Sequence, residues 1–386
     1  MKPKAQVAHV TFSLKGGAGV VASRLNEELN NLGVSSRLYT ETETSLREAP
    51  FSNSRLTFLS AVDDLVFKKQ SYAGQLSVIR SLSNADWLRS INEEVIVLHW
   101  VEGLVSVPQI QRWVNDGKRV FWYVHDNRPL TGGCHTGSCT NFLLDCGSCP
   151  VVRKPVRSLV ALSRRRVDSC RRLGVTFLAP SDRIMKWSEE LGLKTVRIRN
   201  PVSEEFFSPQ AAKDELDPVV QERDANLRFA CVARDLKDPN KGVEAACRFF
   251  DEIYRTKPFW HLELIGEGIF PGRTSLGNVS HTQLASRFRK NVDVLLFFSE
   301  YENAPLVILE AAAAGVLVVC PPETLSNLDS SFQGLCLDTN EFKEIIKRGD
   351  FLSVINRLAQ RAKAEVEANR AQLVAGNLIT LLGLHE

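Results

Sequence analysis

No stretch of the 386-residue sequence is apolar for long enough to span a membrane. The most apolar window, residues 304–321, is interrupted by Glu310 and Gly315 and reads as a buried helix followed by a strand. The N-terminus, Met1-Lys-Pro-Lys-Ala-Gln-Val-Ala-His-Val, carries positive charge without the apolar run of an export signal. A strong charge of one sign is also lacking. The net charge of +3 argues against a nucleic-acid partner, which asks for a concentrated basic face. Neither an internal repeat of fixed period nor a low-complexity segment occurs. With no export signal, the nine cysteines point to a reducing cytoplasm and free thiols unless some bind metal. What is present is ordinary globular composition, 44% hydrophobic and 24% charged, in a chain too long for a single core, so two domains are expected.

Short apolar runs alternate with amphipathic stretches, the pattern of parallel sheets covered by helices. In the first half, strands are expected at 7–14, 36–39, 94–99, 119–125, 176–179 and 195–198, with helices at 19–31, 106–116, 156–173 and 182–190. Asn200-Pro201, followed by Ser208-Pro209 and the charged run 213–217, reads as a linker. Beyond it, strands at 227–232, 261–265, 292–298 and 316–319 alternate with helices at 242–255, 282–289 and 306–314, and the tail from residue 341 is mostly helical. Two doubly wound units in succession set two groups of strand C-termini toward a cleft, and ligands in such sheets bind outside those ends.

The densest chemistry lies in Ser299-Glu-Tyr-Glu-Asn-Ala-Pro-Leu-Val-Ile-Leu-Glu310. Pro305 suits the first turn of a helix, which places Glu302 just before it and Glu310 inside it. The N–H groups of Ala304, Leu306 and Val307 then point out of the helix start, where phosphate or hydroxyl oxygens can take them. Arg234 and Lys241 flank a turn at the C-terminal end of a strand, and two cations there suit a pyrophosphate. In the first half, Gly16, Gly17 and Gly19 occupy the first strand-to-helix turn, where glycine lets backbone approach an anion. Gly17, Gly19 and Ala22 also satisfy G-x-G-x-x-A, with Glu41 and Glu43 near the place of a ribose acid, so a nicotinamide oxidoreductase is the alternative. A solvated turn, a helix-face charge or a tight loop explains each of these pieces singly; their joint order favours a sugar nucleotide.

His125-Asp126 ends the apolar run Val120-Phe-Trp-Tyr-Val124, and His99-Trp100 ends the preceding one, where a histidine can meet a ligand or simply be satisfied by its surroundings. Cys134, Cys139, Cys146 and Cys149, spaced C-x4-C-x6-C-x2-C, could close a tetrahedral zinc site with His135 as a spare ligand, or remain free thiols. The helix at 156–173 carries Arg157, Arg164, Arg165, Arg166, Arg171 and Arg172, and a basic amphipathic helix can rest on an anionic membrane or present a solvated face.

Together these segments resemble the retaining GT-B glycosyltransferases of family four. The stretch Val294-Leu-Leu-Phe-Phe-Ser-Glu-Tyr-Glu-Asn-Ala-Pro-Leu-Val-Ile-Leu-Glu310 is similar to that family's donor-site signature, and Leu262-Glu-Leu-Ile-Gly-Glu-Gly268 to its preceding strand. Tyr123-Val-His-Asp-Asn-Arg-Pro-Leu-Thr-Gly-Gly-Cys-His135 with Cys-Gly-Ser-Cys-Pro150 resembles a subgroup that makes exopolysaccharides and surface glycans. The resemblance implies two Rossmann-like doubly wound domains facing across a cleft: residues 1–200 on the acceptor side, with 372–386 packing back on them, and 201–371 binding the donor. It implies that Arg234 and Lys241 hold the donor's phosphates, Glu302 the sugar hydroxyls and Glu310 the ribose, with Asn303, Ala304, Pro305, Leu306 and Val307 completing the donor pocket. The loop of Gly16, Gly17 and Gly19 would close on the phosphate, and His125 would contact the sugar. The implied reaction moves a sugar from a nucleotide diphosphate sugar to a glycan or lipid-linked acceptor without a catalytic metal, in the cytoplasm or at the inner face of the membrane. Arg128 departs from the subgroup, which usually has an aromatic or Pro-adjacent apolar residue there.

Overall fold

The computed structural model describes residues 6–41, 86–135, 139–150, 154–208, 227–270 and 272–384. Residues 42–85, with Glu43 among them, and the charged run at 213–217 lie outside the described residues. The chain forms two compact units, Met1–Pro201 with Ala371–Glu386, and Val202–Arg370.

The first unit is built on six parallel strands: β1 (Val7–Thr11), β2 (Ser36–Thr40), β3 (Val95–Leu98), β4 (Arg119–Tyr123), β5 (Thr176–Ala179) and β6 (Thr195–Arg197). Their spatial order is β2-β1-β3-β4-β5-β6, so the chain leaves β1 to one side and then to the other. Helices α1 (Gly17–Asn31), α2 (Val107–Asn115), α3 (Lys154–Arg172) and α4 (Asp182–Glu190) link them. Both sheet faces are covered, which is why β1 and β3 are buried along their whole length. Alternation sends Ala8, Val10, Ile96, Leu98 and Trp122 into one core cluster. The C-terminal helix, Ala371–Leu382, packs on α1, and Arg119 donates to the Leu382 carbonyl.

The second unit carries β7 (Arg228–Asp235), β8 (His261–Glu267), β9 (Thr274–Ser275), β10 (Val294–Leu296), β11 (Leu317–Cys320) and β12 (Cys336–Asp338), all parallel, in the order β12-β11-β10-β7-β8-β9. Counted from β7, this is the 3-2-1-4-5-6 order of a doubly wound dinucleotide-type sheet. Its helices are α5 (Glu204–Phe207), α6 (Val243–Tyr254), α7 (His281–Asn291), α8 (Leu306–Ala313), α9 (Pro322–Asn327), α10 (Ser330–Gln333), α11 (Thr339–Ile345) and α12 (Phe351–Glu365). Alternate strand residues again serve opposite layers. Phe229, Leu264, Val294 and Val319 join α6 and α12, whereas Ala230, Leu295 and Val318 join α7 and α8. Phe229 is fully buried, 5.2 Å from Phe250 and 5.3 Å from Trp260 between ring centres. In α8, Ala311, Ala312 and Ala313 are all buried; a helix apolar on every side is a buried one, and the short side chains let it lie close to the sheet.

Candidate functional site

The strand order of the second unit reverses between β7 and β10, and the crevice outside the ends of two such strands is where open α/β sheets bind ligands. The residues after β7 and those after β10 meet there. Asn240 accepts from the Glu300 N–H at 2.8 Å and donates to the Tyr301 carbonyl at 3.3 Å. Asp238 caps the intervening turn by accepting from the Asn240 N–H at 2.9 Å. On the far side, Thr324 donates to the Ser299 carbonyl at 3.1 Å and Asn327 to that of Glu300 at 3.2 Å. Gly242 makes the approach possible. Its φ is 61°, and a Cβ there would stand 2.2 Å from the Phe298 carbonyl oxygen. Gly242→Ala is therefore expected to lose about 1–3 kcal/mol of stability, read as a lower urea midpoint at unchanged slope. An unchanged midpoint would show that the two loops do not need this contact.

The stitched loops bring Lys241 and Glu302 into a direct ion pair, Nζ to Oε1, with both side chains partly exposed. Burial works against the Lys241 ammonium, but the charge and hydrogen bond of Glu302, with Asp238 beside it, overcome this and hold its pKa above the ordinary value. Arg234, near the end of β7, is exposed, and its side chain has neither an ion pair nor a hydrogen bond among the described residues. Lys237 is exposed in the same turn. Asn303 is buried at 5% exposure, and its Oδ1 has no hydrogen-bond partner. An unpartnered buried amide oxygen is costly unless a ligand hydroxyl or water supplies the donor.

Pro305 sits at the N-cap of α8 with ψ 115°, one position outside the helix rather than in its first turn. The first N–H groups of α8, from Leu306 and Val307, have no acceptor within the helix. Glu310 lies in α8 and is buried, its Oε1 3.5 Å from Nδ1 of His281, the first residue of α7. The two glutamates are thus placed differently: Glu302 at the surface with Lys241, Glu310 inside with His281. Sequence reading missed His281. The capping box of Ser280 and Gln283 was a local sign that α7 begins there, but its contact with Glu310 depends on how α7 packs against α8.

In the first unit, Gly16 caps α1 and Gly17 begins it. A Cβ on Gly19 would stand 2.3 Å from the Ser13 carbonyl oxygen, so the turn closes on itself only with glycine. Glu41, an acid expected near a dinucleotide ribose, is buried and accepts from Trp87 Nε1 at 3.0 Å. His125 is part of a row that sequence reading recognised only in pieces. His9 Nδ1 lies 2.9 Å from His99 Nε2, and His99 Nδ1 lies 2.9 Å from His125 Nε2. Burial lowers all three imidazoles, His9 and His125 to about 3 and His99 well below its usual value, so the rings are neutral. The sign in the sequence was a histidine inside the first strand and one just past the end of each of the third and fourth.

Of the two readings of the cysteine loop, the described residues favour free thiols over a zinc site. Cys134, Cys139, Cys146 and Cys149 are free thiols. Burial and the neighbouring thiols push Cys134 up to about 12, and among the described residues no group of three or more His, Cys, Asp or Glu side chains is arranged to hold a metal ion. His135 is not a spare ligand, because both its nitrogens are engaged: Nδ1 with Asp126 Oδ2 at 2.6 Å and Nε2 with Glu102 Oε2 at 2.9 Å. Burial opposes its charge, but these two carboxylates prevail and raise it to about 9, which makes it an imidazolium at neutral pH. Arg128 lies in the same buried cluster, Nε 3.9 Å from Glu102 Oε2.

The basic helix is not a fully solvated face. Arg164 is buried and donates to the Phe142 carbonyl at 2.7 Å, and Arg166 is buried, donating to the Arg128 carbonyl at 2.7 Å with its guanidinium 5.9 Å from the Trp122 ring. Only part of the positive charge on α3, including Arg165, Arg171 and Arg172, faces outward. The long apolar stems of arginine allow inward burial beside the narrow stripe of Val160, Val167 and Cys170 once backbone carbonyls receive the N–H groups. Among the described residues, no helix is long and apolar enough to cross a membrane.

Two successive parallel α/β units with these strand orders define a protein of the GT-B fold. Solved structures similar to the whole chain have that architecture. Sucrose-phosphate synthase from Thermosynechococcus elongatus aligns over 99% of each chain with a TM-score of 0.62 and 13% identity. Anabaena HepE in complex with UDP-glucose aligns over 98% of this chain and 100% of its own, with a TM-score of 0.58 and 13% identity. In sequence, the chain is similar to the Escherichia coli K12 protein named "Putative colanic acid biosynthesis glycosyl transferase WcaC", at 29% identity over 272 residues, 66% of this chain. The match spans 65% of that relative's length. No protein-family model matches the chain.

Proposed function

We propose that the protein is a retaining glycosyltransferase that moves a sugar from a nucleotide diphosphate sugar to a glycan or lipid-linked acceptor in surface polysaccharide synthesis. The observation that carries this reading is the meeting of Lys241, Glu302 and the start of α8 at the point where the strand order of the second unit reverses, with exposed Arg234 at the end of β7. A diphosphate needs cations and N–H donors, which Arg234, Lys241, Leu306 and Val307 supply. The negative charge that grows on the leaving phosphate as the sugar bond breaks is stabilised by the same groups. Sugar and ribose hydroxyls need acceptors, the roles assigned to Glu302, the Asn303 amide oxygen and Glu310. The first unit is assigned the acceptor side, with His125 on the sugar and the loop of Gly16, Gly17 and Gly19 on the phosphate. The relative named for colanic acid biosynthesis and the UDP-glucose complex of a similar fold support this choice of chemistry.

The test is a panel of UDP, GDP and ADP sugars, with NAD as control, measured by calorimetric titration and by release of nucleotide diphosphate. Binding and turnover of one sugar nucleotide without NAD binding is the expected result. Binding of NAD alone would return the glycine loop to a nicotinamide enzyme, and donor binding without release of nucleotide to any acceptor would make the protein a binding module.

A further inference from the structure

The histidine row has a property that follows from counting hydrogens. Three neutral imidazoles carry one ring hydrogen each, and each of the two N···N contacts, at 2.9 Å, must hold one hydrogen: two would collide and none would set lone pair against lone pair. The third hydrogen therefore sits at one end of the row, on His9 Nε2 or on His125 Nδ1. His9 is fully buried and its Nε2 has no hydrogen-bond partner, whereas His125 is the partly exposed end. A buried N–H without an acceptor is among the rarest features of folded proteins, and solvent or substrate oxygen can receive the hydrogen at the other end.

We propose that His9 and His99 are positioning residues that lock His125 in the tautomer carrying its hydrogen on Nδ1, so that the row presents a hydrogen-bond donor to a ligand oxygen. Along the row, His9 Nδ1–H donates to His99 Nε2 and His99 Nδ1–H donates to His125 Nε2. Successive hydrogen bonds of one direction polarise one another, so the terminal donor is stronger than that of an isolated imidazole. The ligand oxygen, a sugar hydroxyl, rests on the proposed transfer reaction; the tautomer does not.

Ring-nitrogen NMR of protein labelled in its histidines reads the tautomer without any substrate. The expected pattern is a protonated Nδ1 and an unprotonated Nε2 on His9, His99 and His125. Protonated Nε2 on His125 overturns the proposal. In His9→Asn the side-chain amide can donate from the position of Nδ1, so the His125 pattern and the rate should both persist. In His9→Leu that donor is gone, and His125 is expected to give mixed tautomer signals with kcat lower by about five- to tenfold at unchanged donor KM. Unchanged His125 signals in His9→Leu would remove the positioning role. Should His9→Leu fail to fold, the wild-type pattern and His9→Asn still decide. The expected pattern in a protein that transfers no sugar overturns the proposed function and leaves the tautomer assignment standing; the reverse pattern in an active enzyme overturns the assignment alone.

Discussion

Replacing Glu302 with Gln lowers the rate of sugar transfer by about ten- to a hundredfold, and Lys241→Ala does the same. In the proposed reaction each variant is expected to lose a charge-assisted contact of roughly 1.5–3 kcal/mol in the transition state. The two side chains form an ion pair in the ligand-free protein and both are partly exposed, so their pair contributes little to stability, and melting of the two variants should stay close to that of the parent. The comparison of single and double variants separates two accounts. If the residues act only through their mutual pair, Lys241→Ala with Glu302→Gln is no worse than either alone. If Lys241 holds phosphate and Glu302 holds the sugar, the double variant falls below both singles, and that is the expected outcome. Transfer at parental rate by both single variants would remove the site assignment altogether.

Acidification is expected to unfold the protein well before most of its carboxylates protonate. His9 and His125 are held near 3 and His99 is lowered too, whereas each ring in the unfolded chain titrates near 6.5. The unfolded state thus binds more protons below 6.5, so these rings contribute stability that is present above pH 6.5 and lost as the pH falls toward 3. His9 and His125 each account for up to about 1.4 kcal/mol per pH unit, or about 2 kcal/mol between pH 7 and 5, and His99 acts in the same direction. His135 has the opposite sign: raised to about 9, it contributes stability fully present below 6.5 and lost as the pH rises through 9. Urea midpoints measured from pH 4.5 to 9 should therefore peak between these limits, and His9→Asn should flatten the acid side by about one proton. A midpoint independent of pH between 6.5 and 4.5 would contradict neutral burial of the row.

Much of the architecture was legible because it is local. An apolar run bounded by turn residues read Thr176–Ala179 correctly, and the helix expected at 182–190 is present as Asp182–Glu190, capped by Ser181, whose Oγ accepts from the Ile184 N–H. The two-residue β9 and the three-residue β12 escaped, being too short for any period to show. In the site, the stretch from Ser299 to Glu310 stood out because an acid, a proline and a buried alanine helix follow one another in the chain. The inward turn of Arg164 and Arg166 did not, since arginine count and helical spacing leave open whether a guanidinium meets water or a carbonyl.

The sequence by itself determined that there are two parallel α/β units and that polar groups such as Arg234, His125 and Glu302 lie near strand ends, because the residues that follow an apolar strand emerge at its carboxyl edge. Only the tertiary structure decided which of these groups meet. Lys241 finds Glu302 across 61 positions, and His9 finds His99 across 90. Such pairs depend on β10 lying beside β7 and β3 beside β1, and strand order is set by the packing of whole layers rather than by residues near one another in the chain.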